Sequence, residues 1–102
     1  MDIFARIKRL VLTGKVAFTL KAQTEIEADG ITEELVCEAI LNAPTIDKVV
    51  RSIKPASGNR EMLYVIKGLT FDGLLIYTKG KFKTIGLQEI FYVLISSKRS
   101  TD

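Results

Sequence analysis

Residues Arg60–Lys79 read REMLYVIKGLTFDGLLIYTK, and this stretch decides the fold that the sequence predicts. Two apolar runs, Met62–Ile66 and Leu74–Tyr77, flank the dipeptide Asp72-Gly73. That dipeptide suits the left-handed dihedral angles of a type I′ turn, so the pattern predicts a β-hairpin closed by an even-numbered turn.

The composition limits the classes of protein to consider. The chain has 102 residues, of which 47% are apolar and 26% charged, and this is typical of one globular domain, residues 1–102. Histidine is absent, which excludes histidine-based triads and metal sites built from several histidines. No motif in the sequence calls for a metal ion or another cofactor, so none is expected.

Cysteine usage and hydropathy predict the compartment. Cys37 is the single cysteine, so no internal disulfide forms. The N-terminal residues have bases on both sides of Ile7 and lack the apolar core of a signal peptide. No run approaches the roughly 20 apolar residues that span a bilayer. We therefore expect a cytoplasmic protein with no membrane partner.

Charge is divided unevenly along the chain. Residues 20–47 contain seven acids and one base, a net charge of −6, whereas residues 48–102 contain ten bases and four acids, a net charge of +6. The basic part suits phosphate groups; the alternative is a well-solvated surface without a ligand.

Helix signals precede the strand signals. Asp2, Thr19 and Thr32 are suitable N-caps, and Gly14, Gly30 and Pro44 follow the helices that they begin. Strand patterns follow at Ile46–Ile53, in the hairpin and at Glu89–Ser97, while Gly80–Gln88 is either a loop or a short irregular strand. The sequence therefore predicts an α+β domain, with two to three N-terminal helices packed on an antiparallel sheet of about four strands.

The acids and Cys37 of the helical part are interpreted as structural. Cys37 has acids rather than bases nearby, which raises a thiol pKa and favours a packed residue over a nucleophile. The acid pairs Glu25/Glu27 and Glu33/Glu34 are better explained as solvated helix surface than as a carboxylate or metal site.

The predicted hairpin register places the aromatic residues. An even-numbered turn sets Phe71 opposite Leu74, and alternation then puts Tyr64 and Tyr77 on one face. If Phe71 belongs to the core, Tyr92 and Lys98 of the last strand join the two tyrosines. Such a face stacks bases on its rings and holds phosphates with its bases. The alternative is that the tyrosines are core residues with their hydroxyls at the rim.

RNA cleavage without histidine is chemically reasonable on this face. A lysine or tyrosine would assist removal of the 2′-hydroxyl proton, and cationic side chains would stabilise the phosphorane. The candidate catalytic residues are Arg60, Tyr64, Lys79, Tyr92, Lys98 and Arg99. The candidate nucleic-acid-binding residues are Lys54, Tyr77, Lys81 and Lys83.

Three segments carry a resemblance to a known group: IKRLVLTGKV (Ile7–Val16), DGITEELVCEAI (Asp29–Ile40) and the strand pair around Asp72-Gly73. They resemble a family of small prokaryotic domains that is grouped near the RelE-like and MqsR-like messenger-RNA interferase toxins. The resemblance covers most of the chain. It implies a RelE-like fold and a metal-independent endoribonuclease acting on RNA, free or on the ribosome. It also implies an antitoxin partner that covers the basic sheet.

One departure from that family leaves alternatives open. Relatives often have a histidine early in the second helix, where this chain has Lys21 in FTLKAQTE. If that histidine matters for activity, the chain is a non-catalytic module that binds nucleic acid or protein. A third interpretation is a homo-oligomer built on an exposed strand edge.

Overall fold

A computed structural model of the chain describes residues 2–53, 60–87 and 89–101. The elements are α1 (Ile3–Leu12), β1 (Val16–Phe18), α2 (Leu20–Asp29), α3 (Glu33–Asn42), β2 (Lys48–Ile53), β3 (Arg60–Leu69), β4 (Leu75–Ile85) and β5 (Glu89–Arg99). The predicted α+β class is confirmed, with the three helices in the N-terminal part. The predicted loop at residues 54–59 lies outside the described residues. None of the three described helices is long and apolar enough to cross a membrane.

The helix boundaries follow from side-chain caps, as the sequence predicts. The Asp2, Thr19 and Thr32 side chains accept hydrogen bonds from backbone N–H groups three residues ahead, at 2.8, 3.2 and 3.1 Å. Each bond satisfies one of the N–H groups that a helix start leaves without a partner. Gly30, with φ of 68°, ends α2 in the left-handed conformation.

The sheet has five described strands rather than four, in the order β1-β5-β4-β3-β2. Strand β1 pairs in parallel with β5, and the other neighbours are antiparallel. Strand β1 was not predicted, because three residues are too few to show the alternation of side chains that identifies a strand. Strand β4 extends to Ile85, so most of the segment predicted as a loop or short strand is a continuous strand.

The three helices cover one face of the sheet, which we call the helix face. Side chains of α1 and α3 pack there against Tyr64 and Ile66 of β3, Ile76 of β4 and Leu94 of β5. Gly68 fixes the approach of α3, since an added Cβ would lie 1.8 Å from the Ala39 carbonyl oxygen. The backbone of α3 therefore lies directly on β3.

Helix α2 protects the edge of β5 beyond the point where β1 stops. Glu25 Oε1 accepts hydrogen bonds from Ser97 N at 3.2 Å and from Ser96 Oγ at 2.8 Å. One helical turn later, Asp29 Oδ2 accepts from Arg99 N at 2.8 Å. Two carboxylates thus occupy N–H groups that an edge strand would otherwise expose to another strand. Glu25 has this structural task rather than being solvated surface.

The hairpin register differs from the prediction because the loop has three residues. Thr70 N donates to Leu74 O at 2.9 Å, which leaves Phe71, Asp72 and Gly73 as the loop. The Thr70 hydroxyl also accepts from Leu74 N at 3.0 Å, which favours this closure over a two-residue turn. Only Gly73 takes a positive φ, 86°, whereas a type I′ turn needs a second one at Asp72.

The odd-numbered loop separates the tyrosines, so the prediction that all three share a face is wrong. Leu69 pairs with Leu75 and Lys67 with Tyr77, while Tyr64 pairs with Gly80. Tyr64 and Tyr92 therefore lie on the helix face, and Tyr77 lies on the other. Phe71, which was assigned to the core, is 83% exposed at the loop.

A β-bulge in β5 also changes which side chains share a face, compared with the prediction. Lys79 pairs with Ser96 but Gly80 pairs with Leu94, so Ile95 is an extra residue in β5. The alternation of β5 changes there, and Lys98 pairs with Tyr77 instead of sharing a face with Tyr92. Tyr77 and Lys98 therefore share a face, as predicted, but that face is not the one of Tyr64 and Tyr92.

Candidate nucleic-acid interface

The sheet face opposite the helices is rich in lysine, and we call it the lysine face. The cross-strand pairing places six lysines on it: Lys48, Lys67, Lys79, Lys81, Lys83 and Lys98. The same alternation places two acids there, Glu61 and Glu89. The described part of this face is therefore strongly positive, although the sequence analysis took its β3 residues as the core.

Two rows of cross-strand neighbours give the lysine face its geometry. In one row Lys67 pairs with Tyr77, which pairs with Lys98. In the next, Lys48 pairs with Val65, which pairs with Lys79. Neighbouring strands lie about 4.8 Å apart, so the two lysines that flank the tyrosine originate about 10 Å from each other. The rows form a shallow positive surface with an aromatic ring within it.

A pocket of about 480 Å³ opens beside Tyr77. Its lining includes Lys67, Lys98 and Arg99, together with Asp29. The Lys98 ammonium lies 5.4 Å from the centroid of the Tyr77 ring, within range of a cation–π interaction. Among the described lining residues Asp29 is the only carboxylate, and it already accepts a hydrogen bond from the Arg99 backbone N–H. We call this place the Tyr77 pocket.

One lysine of the face is largely neutralised. Lys81 Nζ lies 3.0 Å from Glu61 Oε2, and both side chains are about four-fifths buried. A phosphate would have to compete with that carboxylate, so Lys81 is a weaker ligand than Lys79 or the exposed Lys83.

The structure brings most of the predicted residues together and separates others. Tyr77, Lys79, Lys81, Lys83, Lys98 and Arg99 lie on the lysine face or line the Tyr77 pocket. Arg60 begins β3 opposite Ile53, and it lies seven residues, or roughly 23 Å of strand, from Lys67. Lys54 lies outside the described residues.

Tyr64 and Tyr92, both predicted as catalytic, are buried beneath the helices at 6% and 0% exposure. Their rings meet Phe82 edge to face, with centroids 5.6 and 5.8 Å away. Burial, and then the neighbouring Tyr64, raises the pKa of the Tyr92 hydroxyl well above its usual value. The alternative that the tyrosines are core residues is therefore confirmed for these two, but its placement of the hydroxyls at the rim is wrong for Tyr92, whose hydroxyl oxygen is buried.

Sequence reasoning missed Lys48 and Lys67. Lys67 stands between Val65 and Leu69 on the side of β3 that was assigned to the core, where a lysine would lack a partner. That conflict was the available signal that Lys67 reaches solvent, although Leu63 and Val65 on the same side of β3 are buried.

Comparison with protein-family models, with curated protein sequences and with solved structures gives no match. The resemblance to the RelE-like group therefore stays a prediction. Among the described residues, no group of three or more cysteine, aspartate or glutamate side chains could hold a metal ion.

Proposed function

We propose that the protein binds single-stranded RNA along the lysine face. The observation that carries this proposal is the placement of six lysines on the same side of the sheet as Tyr77, with Lys67 and Lys98 as its direct cross-strand neighbours. Lysines on alternate residues of neighbouring strands hold a chain of phosphates, and the half-buried Tyr77 ring offers a surface on which one base stacks. An RNA ligand also fits the expected cytoplasmic location.

The geometry favours a single strand over a duplex. The lysine face is a sheet surface, and helices α1 and α3 pack against the opposite face. Unstacked bases of a single strand reach an aromatic ring that the stacked bases of a duplex do not reach. The proposal therefore predicts a preference for unstructured RNA.

The test is binding of a fluorescein-labelled oligouridylate of about twelve nucleotides, measured by anisotropy. Lys79→Glu combined with Lys98→Glu should weaken binding about 10- to 100-fold, because two phosphate contacts are replaced by repulsion. The matched control is Arg9→Glu combined with Arg51→Glu, which makes the same change in net charge at exposed residues off the lysine face. Equal losses in both variants would refute the assignment to this face.

Salt dependence provides a second measurement. Four to six phosphate contacts predict a slope of log affinity against log salt between about −3 and −4 for a single strand. A slope near zero would remove nucleic acid as the ligand. Tyr77→Ala should weaken binding by a further factor of about 5 to 100 while leaving the slope unchanged, since a stacked base contributes about 1–3 kcal/mol without releasing counterions.

RNA cleavage is the second candidate function, as expected for a toxin of a toxin–antitoxin pair. The specific observation is the Tyr77 pocket, where Lys67, Lys98 and Arg99 surround one tyrosine. In this candidate a lysine or Tyr77 assists removal of the 2′-hydroxyl proton, and the cations stabilise the phosphorane. Arg60 is too far along β3 to join the pocket, and Tyr64 and Tyr92 are buried.

The cleavage test compares two RNAs, with and without ribosomes. One is all-ribose, and the other has 2′-deoxyribose throughout. The candidate predicts that only the first is cut, that Tyr77→Phe or Lys98→Ala slows the cut, and that expression slows bacterial growth unless an antitoxin is co-expressed. If the all-ribose RNA stays intact with and without ribosomes while the protein still binds oligouridylate, the cleavage candidate is refuted. The non-catalytic binding module then remains.

A further inference from the structure

A second concave surface lies away from the lysine face, between edge strand β1 and the outer side of α3. It is an open groove of about 500 Å³ with an apolar floor. The floor is formed by Val16, Phe18, Cys37, Leu41 and Phe71. We call it the α3 groove.

Phe71 is the feature of the α3 groove that packing does not explain. Its ring is 83% exposed, although its backbone N–H is held by the Glu38 carboxylate. A polar residue would satisfy that bond equally well, because only the backbone takes part. The ring lines the groove together with four other apolar side chains, so it belongs to a contiguous apolar patch rather than being a scattered surface residue.

The rim of the α3 groove is acidic. Glu33, Glu34 and Glu38 line it on two successive turns of α3, and no lysine or arginine is among the described lining residues. The negative potential acts on the thiol in the floor, since burial and then Glu33 and Glu34 raise the pKa of Cys37. Phosphate-bearing ligands are therefore repelled from this groove.

We propose that the α3 groove binds an amphipathic segment of a partner protein, with apolar side chains on the floor and lysine or arginine side chains against the three glutamates. The arrangement follows the usual form of a peptide site, in which apolar anchors supply most of the affinity and charges at the rim set the orientation. The proposal is independent of RNA binding, because the two surfaces share no residue.

A second copy of the chain is a poorer occupant. The one basic amphipathic helix among the described elements is α1, with Arg6, Lys8 and Arg9. Its apolar residues Ile7 and Val11 are already 0% and 6% exposed in the core, so α1 of a folded copy cannot place these side chains in the groove. The occupant is therefore a different polypeptide.

Helix stability alone accounts for part of the rim. Glu33 and Glu34 lie in the first turn of α3, where carboxylates interact favourably with the helix dipole. That explanation covers two acids but neither the exposed ring of Phe71 nor the apolar floor. Binding measurements distinguish the two accounts, because a dipole effect does not select a partner.

The experiment is selection from a displayed library of random peptides of about twelve residues, long enough to follow the roughly 14 Å of α3 between Glu33 and Asn42. The folded protein is the bait, and a selected peptide is then measured by anisotropy. The proposal expects apolar residues flanked by lysine or arginine, with binding that weakens as salt rises. Phe71→Ser should weaken binding at least about tenfold, and so should Glu33→Lys combined with Glu34→Lys.

Two control variants are matched to these changes. Leu20→Ser removes an apolar side chain of α2 that is 78% exposed and outside the groove, and Glu27→Lys combined with Asp47→Lys reverses two exposed acids outside the groove. Both should bind the selected peptide as the unaltered chain does. Selected peptides that are acidic or uncharged, a library with no selectable binder, or equal binding by the Phe71→Ser variant would each overturn the proposal.

Discussion

The two faces of the sheet are built from the same strands but have opposite chemistry. On the helix face, β3 and β4 carry Tyr64, Ile66 and Ile76, which are buried under α3. On the lysine face, the same strands carry Lys67, Tyr77 and Lys79, which keep part of their surface in water, beside the buried Val65. Alternation along a strand makes such a division, and it requires only that the register between strands is maintained.

A single residue is enough to set that register. One residue in the hairpin loop decides whether Tyr77 stands beside Tyr64 or beside Lys67. One further residue, Ile95 in β5, brings Lys98 to Tyr77. Each departure adds one residue to a strand or loop without changing the local sequence pattern, and it changes which side chains lie on the lysine face.

The largest effect should come from disturbing the packing of the helix face. Gly68→Ala places a methyl group 1.8 Å from the Ala39 carbonyl oxygen, and backbone on both sides has to move. We expect a loss of about 3 kcal/mol or more in the free energy of unfolding, measured by urea denaturation. The adjacent Leu69→Ala, at a side chain that is 53% exposed, should lose under about 1.5 kcal/mol. Similar losses in the two variants would show that α3 does not lie on Gly68.

The helices were predictable because their signals are local. Each N-cap bond of Asp2, Thr19 and Thr32 joins residues three apart, so the sequence pattern contains both partners. The pairing of β1 with β5 joins residues 76 apart, such as Val16 and Tyr92, and no local pattern indicates it. Local chemistry therefore predicted the helices and the class, but not the fifth strand.

The candidate site was predictable in its residue types but not in its arrangement. Tyr77, Lys79 and Lys98 were selected because aromatic and basic side chains suit RNA, and the structure places them on one face. Tyr64 and Tyr92 were selected with them because Asp72-Gly73 fits a two-residue turn as well as the end of a three-residue loop. The Thr70 hydroxyl, which closes the longer loop, does not have a sequence signature strong enough to decide between them.

An intermediate effect is expected in the hairpin loop itself. Gly73 has φ of 86°, so Gly73→Ala should destabilise the fold by roughly 1–2 kcal/mol. Asp72→Ala in the same loop requires no such conformation and should stay within about 0.5 kcal/mol. Chemical denaturation with both variants measures the difference. Should Asp72→Ala be the more harmful change, the loop would not be the three-residue form described here.

The smallest effect distinguishes the tyrosines of the two faces. Among the described residues the Tyr92 hydroxyl has no hydrogen-bond partner, so Tyr92→Phe should leave stability at pH 7 unchanged or raise it by up to about 1 kcal/mol. Oligouridylate affinity should not change, because this ring faces the helices. A clear loss of either would contradict its assignment to the core.

The same substitution has a signed pH dependence. The unfolded chain releases the tyrosine proton near pH 10, whereas burial raises the pKa of Tyr92 in the folded chain. Above about pH 10 the folded state therefore retains a proton that the unfolded state has lost, and stability falls by up to about 1.4 kcal/mol per pH unit. Tyr92→Phe should remove that part of the alkaline loss in urea titrations at pH 9 and 11. Tyr77→Phe retains Tyr92 and should therefore keep the alkaline loss of stability. If the loss also persists in Tyr92→Phe, another group on the helix face is responsible for it.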